Sequence, residues 1–203
     1  DQVLLAVKPQ DIPALLPLMA PFLGPATIII SLAAGVKTST IEAGLGAELP
    51  VVRAMPNTPA VVGEGMFGVS AGAHVSEEQL ARVVELLSHG GKVEVIDESL
   101  QDALTSVSGS GPAYVFYLAE NMIEAGVAEG LDRDVARTLT AQTLVGAAKL
   151  LAESGEEPVE LRRRVTSPNG TTFAATETFD ELGVNKGIIA GIRAAASRSA
   201  ELG

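Results

Sequence analysis

The sequence predicts an α/β fold in which a mostly parallel sheet flanked by helices is followed by an all-helical domain. Two patterns in the chain predict it. Through the first half, short β-branched runs alternate with helix-period segments, and the strands read as continuous apolar runs, as strands buried on both faces do. After Asp97 the strand patterns cease and only helical periodicity remains. With 203 residues, 47% of them hydrophobic, the chain can bury a real core in one large or two small domains.

Taken in order, residues 3–7 are a continuous apolar strand, 12–22 are helical in spacing, 27–32 are a second strand and 36–44 a short helix. Residues 50–55 are strand again, 65–73 and 92–96 supply two more, and Ser76 starts a helix through Ser88 with a Ser-Glu-Glu-Gln opening that approximates a capping box. Helical patterns then cover 112–131, 134–151, 172–182 and 185–200. Ser110 is placed to cap the first of these and Pro112 fits its first turn, so the domain boundary is expected near 98–105, giving domains 1–100 and 101–203.

The helix at 112–131 carries apolar residues over much more than one stripe: Tyr114, Val115, Phe116, Leu118, Met122, Ile123 and Val127. Its successor is rich in Ala and Gly, which permits close helix packing. Self-association through these helices is the expectation, because a small helical domain has few other surfaces to cover such a face.

A net charge of −11 argues against nucleic acid or an anionic membrane as a partner, since both require concentrated Lys and Arg. The basic run Arg162-Arg163-Arg164 is expected to be the solvated last turn of a helix. Without cysteine there is no disulfide, thiolate nucleophile or Cys-based metal site, and two histidines, His74 and His89, both expected in exposed loops, leave little for a metal; none is expected. No apolar run has the length of a membrane span, and a soluble, cytoplasmic protein is expected.

Ligands of open parallel sheets bind at the carboxyl ends of the strands. Those ends are here Ala6-Val7-Lys8-Pro9, Ser31-Leu32-Ala33-Ala34-Gly35 and Arg53-Ala54-Met55-Pro56-Asn57-Thr58-Pro59, which together suggest a binding crevice on one edge. A further segment, Val165-Thr166-Ser167-Pro168-Asn169-Gly170-Thr171-Thr172, runs into an apolar helical stretch. Pro and Asn-Gly force a turn there, Thr171 and Thr172 are expected to supply capping hydroxyls, and the free N–H groups of a helix start suit a carboxylate or phosphate.

In that order, and with Ser108-Gly109-Ser110-Gly111-Pro112-Ala113-Tyr114 between them, these motifs closely resemble pyrroline-5-carboxylate reductase over essentially the whole chain. The resemblance implies a Rossmann-like domain, N-terminally incomplete because the opening Gly-rich βαβ unit is absent, followed by a helical substrate-binding and dimerisation domain. It implies reduction of 1-pyrroline-5-carboxylate, a small carboxylate, to proline with NADP, or NAD, as cofactor, in a homodimer or a larger ring of dimers. Val7, Lys8 and Pro9 would then lie against the nucleotide, Ala33 and Ala34 near its ribose and nicotinamide, and Ala54, Met55 and Asn57 beside the nicotinamide. Ser167, Asn169, Gly170, Thr171 and Thr172 would hold the substrate carboxylate, with the Thr172 hydroxyl as the catalytic contact to the ring nitrogen. The alternatives are a related hydroxyacid dehydrogenase, whose site would call for a lysine or histidine near the substrate carbonyl, and an inactive dimeric fragment.

Overall fold

The computed structural model describes residues 1–202. Strand β1 (Gln2–Leu5), helix α1 (Ile12–Met19), β2 (Ile28–Ser31), α2 (Thr38–Leu45) and β3 (Val51–Met55) realise the expected alternation. β4 (Gly65–Ala71), α3 (Glu77–Ser88) and β5 (Gly91–Val95) complete a sheet of order β1-β2-β3-β4-β5. β1, β2 and β3 are parallel, with Val3 opposite Ile29 and Ile30 opposite Val52, and β5 runs parallel to β4. β4 is antiparallel to β3, with Ala54 opposite Val69. The reason is the length of the link: residues 56–64 hold only the 3₁₀ turn Thr58–Val62, and a parallel return needs a crossover of about a dozen residues.

The strands are buried on both faces, which is why they read as continuous apolar runs. Leu5, Ile29 and Val51 pack with Ile12 and Leu16 of α1 and Ile41 and Leu45 of α2 on one face. Ile28, Ile30, Val52, Ala54, Phe67 and Val69 pack with Val83 and Leu87 of α3 on the other. Ser76 forms the full capping box with Gln79, as its sequence foretells.

The start of the helical half differs from the expectation. Asp97 caps a 3₁₀ turn by accepting from Ser99 N at 2.8 Å, and the chain goes directly into α4 (Gln101–Leu104), a π-helical segment (Thr105–Gly109) and α5 (Gly111–Ala128). Ser110 is therefore no cap. Its own backbone is helical (φ −84, ψ −18), and its N–H closes a π-type bond to Thr105 O at 2.8 Å. Gly68 of β4 lets α4 approach, since a Cβ there would overlap the Leu104 side chain.

α6 (Arg133–Ser154), α7 (Pro158–Arg164), α8 (Thr171–Glu181) and α9 (Val184–Leu202) follow. The chain divides into two compact units: residues 1–112 with 192–203, and residues 113–191. The second half of α9 thus belongs to the sheet-bearing unit, where Ser199 Oγ donates to Asp102 Oδ1 at 2.7 Å. In the helical unit α5 and α6 approach closely, a Cβ on Gly126 falling 3.3 Å from Ala136 Cβ. Glu124 of α5 and Arg133 of α6 pair bidentately at 2.8 and 3.0 Å, which holds the Glu124 carboxyl below the ordinary carboxylate range.

Candidate functional site

In the sheet-bearing unit, the carboxyl ends of β1, β2 and β3 leave on one edge because the three strands are parallel. After β1, Val7 and Lys8 are exposed, and Lys8 takes an extended conformation (φ −66, ψ 146) ahead of the 3₁₀ turn Pro9–Asp11. After β2, Ser31 Oγ accepts from Ala33 N at 3.3 Å and so tightens the exit. Ala33 is buried and Ala34 half-buried, and Gly35 turns the chain at φ 78, a conformation that suits glycine. This low turn with a cation on the neighbouring exit is a surface on which a ribose and its phosphates can lie against backbone. The residues fit a nucleotide. After β3, Ala54 is buried, while Met55 and Asn57 are half-buried.

Two polar struts hold this edge, and the partners of neither are foreseen in the sequence, although Asn57 itself is. Arg53 of β3 is buried, beside Ser31 on β2 and Ser70 on β4, and its guanidinium lies 3.5 Å from Glu98. Glu98 Oε1 also accepts from Thr38 N, and its Oε2 from Thr38 Oγ1, both at 2.8 Å. A carboxylate sixty residues downstream therefore satisfies the N-terminus of α2, which follows the Ala33-Ala34-Gly35 turn. An arginine inside an otherwise apolar strand was the available signal: such a charge must have a partner. Beside this network Gln101 donates to Gly68 O at 3.1 Å and Ser70 Oγ at 2.9 Å, and its buried Oε1 has no protein partner. The second strut is Asn57, whose Oδ1 accepts from Met66 N at 2.8 Å and whose Nδ2 donates to Ser108 O at 3.1 Å.

In the helical unit, α7 ends in Arg162, Arg163 and Arg164, as expected of a solvated last turn. Arg163 pairs with Glu160 and Arg164 with Glu156, both exposed arginines. Ser167 O accepts from Gly170 N at 3.0 Å, closing a turn with Pro168 second and Asn169 third. Asn169 has φ 60, the one positive value of a non-glycine among the described residues, which fits the third position of a type II turn. Gly170 follows in an extended conformation (φ −83, ψ 178), with its missing Cβ leaving room for Ser167 Oγ.

The capping expectation is corrected here. Gly170 occupies the N-cap of α8 and no side chain caps it, so Thr171 and Thr172 lie one and two residues inside the helix rather than at the cap. The first intrahelical bond runs from Ala174 N to Gly170 O at 3.1 Å, leaving a first turn without a side-chain acceptor. Thr171 is exposed and Thr172 half-buried at that first turn, after exposed Ser167 and Asn169.

The histidines stay apart from these places. His74 is exposed, and His89 caps the end of α3 with Nδ1 3.0 Å from Glu85 O. No cluster of three or more His, Asp or Glu suited to a metal occurs among the described residues, and no helix among them is long and apolar enough to cross a membrane.

Residues 98–202 match the family model for pyrroline-5-carboxylate reductase dimerisation. Over all 203 residues the chain is 48% identical to the pyrroline-5-carboxylate reductase of Pseudomonas aeruginosa and covers 74% of that protein. Among solved structures, the pyrroline-5-carboxylate reductase of Coxiella burnetii superposes with a TM-score of 0.93 at 37% identity, covering 99% of this chain and 75% of its own. The Plasmodium falciparum pyrroline carboxylate reductase, solved with NADP bound, also gives 0.93, at 30% identity, over 100% of this chain and 77% of its own.

Proposed function

The chain belongs to the pyrroline-5-carboxylate reductase family, and we propose that it serves proline biosynthesis by reducing 1-pyrroline-5-carboxylate to L-proline. When bound, NADPH or NADH would supply the hydride for the C=N carbon, and one further proton on nitrogen would balance the reaction. A cyclic imine takes that proton from water before or during reaction, so the protein needs no strong acid. That suits a chain with no cysteine and with both histidines outside the candidate site residues. Its residues bind and orient.

The division of labour proposed is residues 1–100 for the nucleotide and 101–203 for the substrate and for association. Val7, Lys8 and Pro9 take the nucleotide portion, Ala33 and Ala34 the ribose side, and Ala54, Met55 and Asn57 flank the reactive ring. The observation that carries the substrate assignment is the first turn of α8, which Gly170 begins with no side-chain cap. Its N–H groups and the positive helix end hold the carboxylate, with Ser167, Asn169 and Thr171 around it and the Thr172 hydroxyl directed to the ring nitrogen. The hydroxyacid dehydrogenase alternative would need a lysine or histidine at the site. Lys149 instead lies within reach of Glu153 on the exposed side of α6, 3.8 Å away.

We further propose a homodimer formed through α5 and α6, able to build larger rings, and a cytoplasmic location. The test is direct: the full-length protein is given 1-pyrroline-5-carboxylate and NADPH, and loss of reduced nicotinamide is followed with proline formation. Equal amounts of both support the proposal. Nicotinamide oxidation without proline, or none, removes it.

A further inference from the structure

The Ser108 carbonyl poses a problem that the sequence itself creates. In an α-helix it would accept from the N–H four residues on, and that residue is Pro112, which has none. The backbone relieves part of the strain by widening into the π-helical segment Thr105–Gly109. Asn57 supplies a donor, from its Nδ2 to Ser108 O at 3.1 Å. The orientation of the amide is fixed by chemistry, since Met66 N, a donor, must face Oδ1, and the Ser108 carbonyl must face Nδ2.

One side chain thus joins the exit of β3, the start of β4 and the π turn. Met55 lies under that turn: a Cβ on Gly109 would stand 3.0 Å from Met55 Cε. We infer that Asn57 is a positioning residue, whose carboxamide latches the Thr105–Gly109 turn to the carboxyl edge of the sheet and so fixes the walls on either side of Met55. The inference rests on the proposed function in one respect, that the reactive ring of the cofactor lies beside Met55. Under it, Asn57 lies beside the ring with its carboxamide engaged by Met66 N and Ser108 O, so it serves the site through Ser108 and not by a hydrogen bond to the nucleotide.

The experiment uses the full-length protein and Asn57→Asp, which keeps an acceptor for Met66 N but turns an oxygen toward the Ser108 carbonyl. In the nucleotide-free protein, hydrogen exchange at residues 109–111 should accelerate about tenfold. The turnover number should fall about tenfold while NADPH affinity changes less than about threefold. Asn57→Asp with Pro112→Ala restores an N–H four residues after Ser108 and should recover part of both the protection and the turnover. Unchanged exchange in Asn57→Asp overturns the latch. A loss of NADPH affinity as large as the loss of turnover overturns the positioning role, because the Asn57 amide would then be binding the nucleotide itself. The exchange measurement involves no substrate, so a wild-type protein that makes no proline would end the proposed function while leaving the latch to be decided by its own result.

Discussion

In the sheet-bearing unit Ile29, Ile30, Val51, Val52, Val69 and Val83 are wholly withdrawn from solvent, whereas in the helical unit α5, α7 and α8 bury no residue at all. α6 buries only Ala136 and Thr140. Phe116 and Tyr117 are 65% and 70% exposed, and Leu139, Val145 and Leu150 are also more than half exposed. Large apolar residues are thus covered in one unit and left open in the other. Strands surrounded by helices find their apolar partners within the chain, while α5, apolar over much more than one stripe, leaves much of that surface uncovered within the chain. A family model described by its dimerisation covers this half of the chain.

The comparison breaks if the helical unit does not need a partner. Phe116→Glu with Leu139→Glu is expected to dissociate the full-length protein. Each buried large apolar side chain is worth about 1.5–3 kcal/mol and appears twice in a symmetric dimer, so association should weaken by about a thousandfold or more. Light scattering at micromolar concentration decides it, and an intact dimer would place the interface elsewhere. Ile30→Ala is the matching change in the other unit. It should cost about 2–5 kcal/mol in denaturant unfolding and leave the association constant alone, because its neighbours are all internal.

Thr172→Val sharpens the comparison at a finer scale, between a helix start used for a ligand and one used for stability. A drop of about ten- to a hundredfold in kcat/KM, or about 1.4–2.7 kcal/mol, is expected with an unchanged melting temperature, since the helix has no side-chain cap to lose. A lower melting temperature with normal kinetics would make Thr172 structural. Lys8→Ala should have a smaller effect, about fivefold on NADPH affinity. Its side chain is exposed and its charge is screened. Unchanged affinity in a titration would leave Lys8 as a loop residue.

Local chemistry made most of the fold legible in the sequence. The βα alternation, the Ser76 capping box and the arginine-rich end of α7 all depend on residues within one or two turns of each other. What escaped depends on distant partners. Glu98 reaches Thr38 and Arg53, Asn57 reaches Ser108, and Ser199 reaches Asp102, and no local period encodes such pairs. The Ser110 cap failed for a related reason: Asp97 had already begun the helix upstream, and a π turn carried it past the Gly-Ser-Gly-Pro sequence that reads locally as a stop. Ahead of α8 the turn was legible from Pro168-Asn169-Gly170. The register of the cap was not, since Gly170 and either threonine could each have occupied it.

The smallest expected effect concerns how the two units use charge. The sheet-bearing unit encloses Arg53 against Glu98, while the helical unit joins α5 to α6 through the exposed Glu124–Arg133 pair. Hydrogen bonding to Arg133, and then its charge, lower the Glu124 carboxyl. A carboxyl lowered in the folded state contributes stability that is present above its unfolded value and lost as pH falls through the lowered one. Melting curves of the wild type and Glu124→Gln should therefore differ slightly at neutral pH and converge in acid, below the ordinary carboxylate range. Added salt should shrink the neutral-pH gap, because an exposed pair is screened. Curves that stay parallel through the acid range would mean that Glu124 acts by packing alone, and that the contact between α5 and α6 rests on Gly126 and Ala136 without help from charge.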